Sequence, residues 1–116
     1  MFVLASGTLQ QFDTLWLDYF ASDSLYLLGL PSVAYFAEHL HLSPNYFGDM
    51  VKKETGISAQ EYIQTKLIDA AKEKIFDPEK NISEIAYELG FKYPQHFTRL
   101  FKQKTGYTPN EFRRMN

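Results

Sequence analysis

Gln95, His96, Arg99 and Lys102 are the residues whose types and spacing could do chemistry. At i, i+1, i+4 and i+7 they share one side of a helix. That side would present amide, imidazole, guanidinium and ammonium groups, which suit hydrogen bonding and charge recognition rather than bond-making. Asn45, Gly48, Asp49 and Lys52, at i, i+3, i+4 and i+7, share one side of a similar helix about fifty residues earlier. Catalytic sets are not visible: no acid/base pair or phosphate loop stands out. The chain has no Cys, which excludes disulfides, thiol catalysis and cysteine-based zinc sites. His39, His41 and His96 lack HExxH-like or other metal-ligand spacing. His39 and His41 read as surface or turn residues, and no metal or cofactor is expected.

The elements that must position these residues are helical. Residues 83–112, SEIAYELGFKYPQHFTRLFKQKTGYTPNEF, read as two short helices joined by a tight turn, with a third helix starting at the end. Asn81 caps the first helix with Glu84 at its third position. Ile85, Ala86 and Leu89 face inward, and Gly90 makes the turn. Tyr93-Pro94 starts the next helix, which buries Phe97, Leu100 and Phe101 and stops at Gly106. Thr108 and Glu111 cap the last one.

Earlier in the chain, residues 8–21 are expected to form a helix with Thr8 as N-cap. Leu9, Phe12, Trp16, Tyr19 and Phe20 make one apolar stripe. It has two readings, packing on the rest of the chain or a dimer or interdomain contact. Residues 22–31 read as a connection with Gly29 and Pro31 as breakers. Ser32 caps a helix with Val33, Phe36, Ala37 and Leu40 inward. Ser43-Pro44 opens another, carrying Phe47, Met50 and Val51 on its core side and ending at Gly56. Ser58 and Glu61 form a capping box for a long helix over about residues 59–76, roughly 27 Å in length. Its apolar stripe is Ile63, Leu67, Ala70, Ala71 and Ile75, and Asp77-Pro78 ends it.

The chain repeats itself, with an offset of 49 before each turn and 50 after it. Ala37 matches Ala86, Leu40 matches Leu89, Pro44 matches Pro94 and Phe47 matches Phe97. Lys52 matches Lys102, Thr55-Gly56 matches Thr105-Gly106, and Glu61 matches Glu111. The one-residue step falls inside the turn, where an insertion disturbs packing least. Each unit is helix, turn, helix, the helix-turn-helix plan. The predicted fold is all-α: two such units joined by a long linker helix, about seven helices in all. By geometry, Asn45, Gly48, Asp49 and Lys52, and Gln95, His96, Arg99 and Lys102, are free to enter a major groove. A stiff linker could set the two reading helices, about 44–55 and 94–105, one DNA turn or ~34 Å apart.

The net charge of −2 is unusual for a nucleic-acid binder. All 12 Lys and Arg lie in residues 31–116 against 11 Asp and Glu, leaving +1 there. Residues 1–30 hold three Asp and no base. Affinity for DNA would therefore come from local clustering of cations. No apolar run approaches 18 residues, so no membrane span is expected, and Met1–Leu4 lacks the features of a signal peptide.

ISEIAYELGFKYPQHFTRLFKQKTGYTPNEFR resembles the second helix-turn-helix of the AraC/XylS family of bacterial transcription regulators, and LPSVAYFAEHLHLSPNYFGDMVKKETGISAQEYI resembles the first. The resemblance covers about residues 30–114. It implies sequence-specific binding to double-stranded promoter or operator DNA by residues 31–116, as an activator or repressor. Residues 1–30 resemble the connecting region to an N-terminal sensor domain. Base-reading positions carry over to Asn45, Asp49, Gln95, His96 and Arg99. Asn and Gln suit adenine, Arg suits guanine, and Asp can accept from a cytosine amino group. Pro94 and Gly48 fall at contact positions but offer little beyond apolar surface and close approach. Asp49 also repels phosphates, and it has a local alternative in pairing with Lys52 or Lys53.

Ser43, Lys52, Lys53, Tyr93, Lys102 and Lys104 are expected to touch phosphate or position the helices. The second reading helix should therefore read more bases than the first. RNA polymerase, a homodimer formed through residues 8–20 or through the sensor domain, and a location in the bacterial cytoplasm on the nucleoid complete the expectations. Some relatives carry methyl-transfer repair domains, which need a nucleophilic Cys that is absent here, so no enzyme activity is expected. The alternative is a protein-interaction module on the same helical scaffold, with weak or non-specific DNA affinity.

Overall fold

The computed structural model describes residues 2–21 and 29–115. Among them run seven helices and no strand: α1 (Phe2–Ala21), α2 (Val33–His39), α3 (Pro44–Thr55), α4 (Ala59–Ile75), α5 (Ile82–Glu88), α6 (Pro94–Thr105) and α7 (Pro109–Arg114). They divide into two compact units. The first comprises residues 2–21 and 31–64, and the second residues 29–30 and 65–115. The linker helix α4 contributes its first turns to one unit and the remainder to the other. None of the described helices is long and apolar enough to cross a membrane.

Most ends are where local chemistry puts them. Ser32, Ser43 and Ser58 accept from the amides of Tyr35, Tyr46 and Glu61, each at 3.1 Å. Asn81 and Thr108 form full capping boxes with Glu84 and Glu111. Gly56 and Gly106 close α3 and α6 in the left-handed region at φ 83° and 86°. The first helix departs from expectation. It starts at Phe2, so Thr8 lies inside the helix rather than capping it. Gly7 is the strongest breaker before Thr8, and one interior Gly costs a helix only about 1 kcal/mol. Of the predicted connection at 22–31, residues 22–28 lie outside the described residues.

In the first unit, α1 packs on α2 and α3, and α2 packs on α3. Phe12, Trp16 and Tyr19 from the α1 stripe are buried with Phe36, Ala37, Phe47 and Val51. The Phe12 ring lies 4.8 Å from Phe36, 5.7 Å from Phe47 and 5.5 Å from Tyr62 between centroids. Such aromatic pairs add attraction beyond their buried area. The stripe therefore serves packing inside this unit, with Leu9 and Phe20 half-buried at its edges. Ala37 is fully buried on α2, which packs on α3.

The second unit repeats the plan, with the later turns of α4 supplying core side chains. Its core is Leu67, Ile68, Ala71, Ile75, Ile85, Ala86, Leu89, Phe91, Phe97 and Phe101. The Phe97 ring lies between Phe91, tilted at 5.3 Å, and Phe101, edge-on at 5.7 Å. Arg113 on α7 ties the unit together. Its Nε donates to the Ile75 carbonyl at 2.6 Å and its Nη2 to the Lys80 carbonyl at 2.7 Å. The guanidinium thus satisfies carbonyls at and beyond the C-terminus of α4, where a cation is also favoured by the helix dipole.

Candidate nucleic-acid interface

The helices α3 and α6 have identical lengths and matching ends. Pro44 and Pro94 each take the first helical position, where a missing N–H leaves no partner unsatisfied. At the far ends the Thr55 hydroxyl donates to the Val51 carbonyl at 2.7 Å and accepts from the Ile57 amide at 3.3 Å. Thr105 repeats this with Phe101 at 2.8 Å and Tyr107 at 3.1 Å. The sequence repeat is therefore reproduced down to single hydrogen bonds.

Each helix is anchored by one face. Phe47 and Val51 of α3, and Phe97 and Phe101 of α6, are fully buried. Met50 and Leu100 are half-buried rather than core. Anchoring those positions turns the others outward. On α3, Asn45, Asp49, Lys52 and Lys53 are exposed, Gly48 is half-buried, and Ser43 is exposed just before the helix. On α6, Gln95, His96, Arg99 and Lys102 are exposed, while Pro94 and Lys104 are half-buried. The five candidate base readers thus fall into two groups, Asn45 with Asp49, and Gln95 with His96 and Arg99.

The two N-termini differ. Ser43 uses its hydroxyl to cap α3, whereas Tyr93 makes no side-chain cap on α6. The Tyr93 ring instead stands edge-on to His96 at 5.4 Å, and the Lys92 ammonium lies 5.8 Å from its centroid. Among the described residues Asp49 makes no ion pair with Lys52 or Lys53. Lys52, Lys53, Lys102 and Lys104 all sit in last helical turns, where they also offset the helix dipole. Lys74 and Lys80 are committed elsewhere. Glu88 pairs with Lys80 at 2.9 Å and Lys74 at 3.5 Å, and its hydrogen bond raises the Lys80 pKa.

Two outward residues escaped the sequence reading. Tyr46 is 62% exposed beside Asn45, and Gln103 is exposed beside Lys102. The offset of 50 that pairs Asn45 with Gln95 also pairs Tyr46 with His96 and Lys53 with Gln103. The signal was present, but a tyrosine in an aromatic-rich chain reads as core.

Comparison with known proteins decides the family. A family profile described as a helix-turn-helix domain matches residues 36–115. The chain belongs to the AraC-type helix-turn-helix family. It is 38% identical over 77 residues to the HTH-type transcriptional regulator YtdP of Bacillus subtilis, covering 66% of this chain and 10% of that protein. It is 40% identical over 80 residues to the bifunctional transcriptional activator/DNA repair enzyme AdaA of the same organism, covering 69% of this chain and 38% of that protein. The C-terminal domain of AraT, a response regulator from Geobacillus stearothermophilus, superposes with a TM-score of 0.78 at 27% identity, covering 94% of this chain and 85% of that one. This AraC-type chain therefore spans well under half the length of these two curated relatives. The family profile begins after α1, yet three α1 side chains sit in the core of the first helix-turn-helix unit.

Proposed function

We propose that this chain binds double-stranded DNA sequence-specifically, as the DNA-binding part of a bacterial transcription regulator. The observation that carries this is the duplicated helix with one buried apolar face and one exposed polar face. In this account α3 and α6 enter successive major-groove segments. Asn45 and Gln95 read adenine, Arg99 reads guanine, Asp49 accepts from a cytosine amino group, and His96 contacts a base edge. Lys52, Lys53, Lys102 and Lys104 neutralise phosphates, while Ser43 and Tyr93 position the helix starts. The names of the relatives, a transcriptional regulator and a transcriptional activator among them, support the same role.

We further propose that residues 1–30 connect residues 31–116 to a sensor domain, and that the whole regulator works in the cytoplasm and contacts RNA polymerase. The chain itself would be non-enzymatic, since repair chemistry of the methyl-transfer type needs a thiolate and the sequence has no Cys. Self-association through α1 would have to use its outward residues, such as Leu17 at 68% exposure, because Trp16 is buried.

A salt titration on cognate and scrambled duplexes tests the proposal. Log affinity should fall linearly with log salt, with a slope of about −0.9 per neutralised phosphate. A flat response, or no binding at low salt, points instead to a protein-interaction module.

A further inference from the structure

We infer that Tyr46 is a specificity-determining residue of α3, and that its ring takes the 5-methyl group of a thymine in the major groove. The inference rests on the DNA-binding reading above. Tyr46 lies in the first turn of α3 and is 62% exposed, although it is flanked by the fully buried Phe47. It shares the outward surface with Asn45 and stands one helical step, i to i+3, from Asp49. By the repeat offset it occupies the place that His96 holds on α6, next to Gln95 and one step from Arg99.

Chemistry separates the two places. The outer side of α6 offers an imidazole and a guanidinium. The corresponding part of α3 offers an amide, a carboxylate and no cation before Lys52. Asp49 repels phosphate and Gly48 has no side chain, so little on this surface gains from the DNA charge. A neutral ring does not depend on that charge. It presents apolar area to a groove in which thymine is the one base displaying a methyl group, and apolar side chains read that methyl by contact. The phenol hydroxyl at the ring's tip can remain in water, as tyrosine commonly does when its body is buried. The first reading helix would then contribute sequence information through a methyl contact, where the second relies on hydrogen bonds.

The test uses a duplex selected by this chain from a random library, with each thymine replaced singly by deoxyuridine. Wild-type chain should bind about fourfold more weakly at one position, the weight of one buried methyl. Tyr46→Ala should bind all the substituted duplexes alike at that position, and Tyr46→Phe should keep the wild-type sensitivity. Because the side chain is exposed, both variants should unfold at the wild-type midpoint. The inference is overturned if no thymine is sensitive, if Tyr46→Ala keeps the sensitivity, or if Tyr46→Phe loses it, which would place the hydroxyl on a phosphate. If the library yields no bound duplex at all, the DNA-binding reading itself falls, a result distinct from binding without methyl sensitivity.

Discussion

Gly48 stands in the second turn of α3, and a Cβ built there would meet nothing within 4 Å. An interior helical Gly costs about 1 kcal/mol relative to Ala, and among the described residues no neighbour demands it. Its place on the reading surface suggests that DNA does, by close approach. Gly48→Ala should therefore raise stability by about 0.5–1 kcal/mol in urea unfolding while weakening DNA binding. Higher stability with unchanged affinity would show that nothing approaches closely at this position. At the same scale, the outward residues of α6 were legible because polar types at helical spacing announce an exposed side. Tyr46 was less so, because its ring resembles the core rings of Phe36 and Phe47, and in the sequence only the repeat offset that pairs it with His96 sets it apart.

The turns between paired helices show how one element can be built in two ways. In both units an amide reaches back five residues, Leu42 to the Ala37 carbonyl at 2.9 Å and Phe91 to the Ala86 carbonyl at 3.0 Å. Each turn needs one left-handed residue, His41 at φ 60° in the first and Gly90 at φ 93° in the second. A non-Gly residue there costs about 1–2 kcal/mol, yet the first turn accepts it. Gly90 is held to glycine by more than its φ: a Cβ there would lie 2.9 Å from the Gly29 carbonyl carbon.

His41→Gly should stabilise the protein by about 0.5–1 kcal/mol, the strain relieved less the entropy of a freer unfolded chain. Gly90→Asn should destabilise it by about 1–3 kcal/mol through the steric clash, although Asn tolerates the left-handed region. Equal effects on the urea midpoint would show that backbone conformation alone governs both turns. Helix ends were legible here because caps are local, as at Ser32, Asn81 and Thr108. The Gly29–Gly90 approach and the Arg113 fork were not, since they join residues dozens of positions apart.

At the scale of the whole molecule, the repeat made the architecture readable. One helix-turn-helix pattern is ambiguous, but two in register with a capped helix between them leave few alternatives. The near-neutral charge pulled the other way, until the cations were placed. Lys52, Lys53, Arg99 and Lys102 lie exposed on α3 and α6, while Lys74, Lys80 and Arg113 serve contacts within the second unit. Where the α1 stripe packs was open in the sequence because an apolar stripe does not name its partner. In the proposed function, two unequal helices recognise DNA sequence-specifically. Selection of bound duplexes from a random library tests it most directly. The account predicts enrichment of a shared motif in two blocks, with the stronger preference in the block that Arg99→Ala relaxes. Recovery of unrelated sequences bound no better than the starting pool would contradict it.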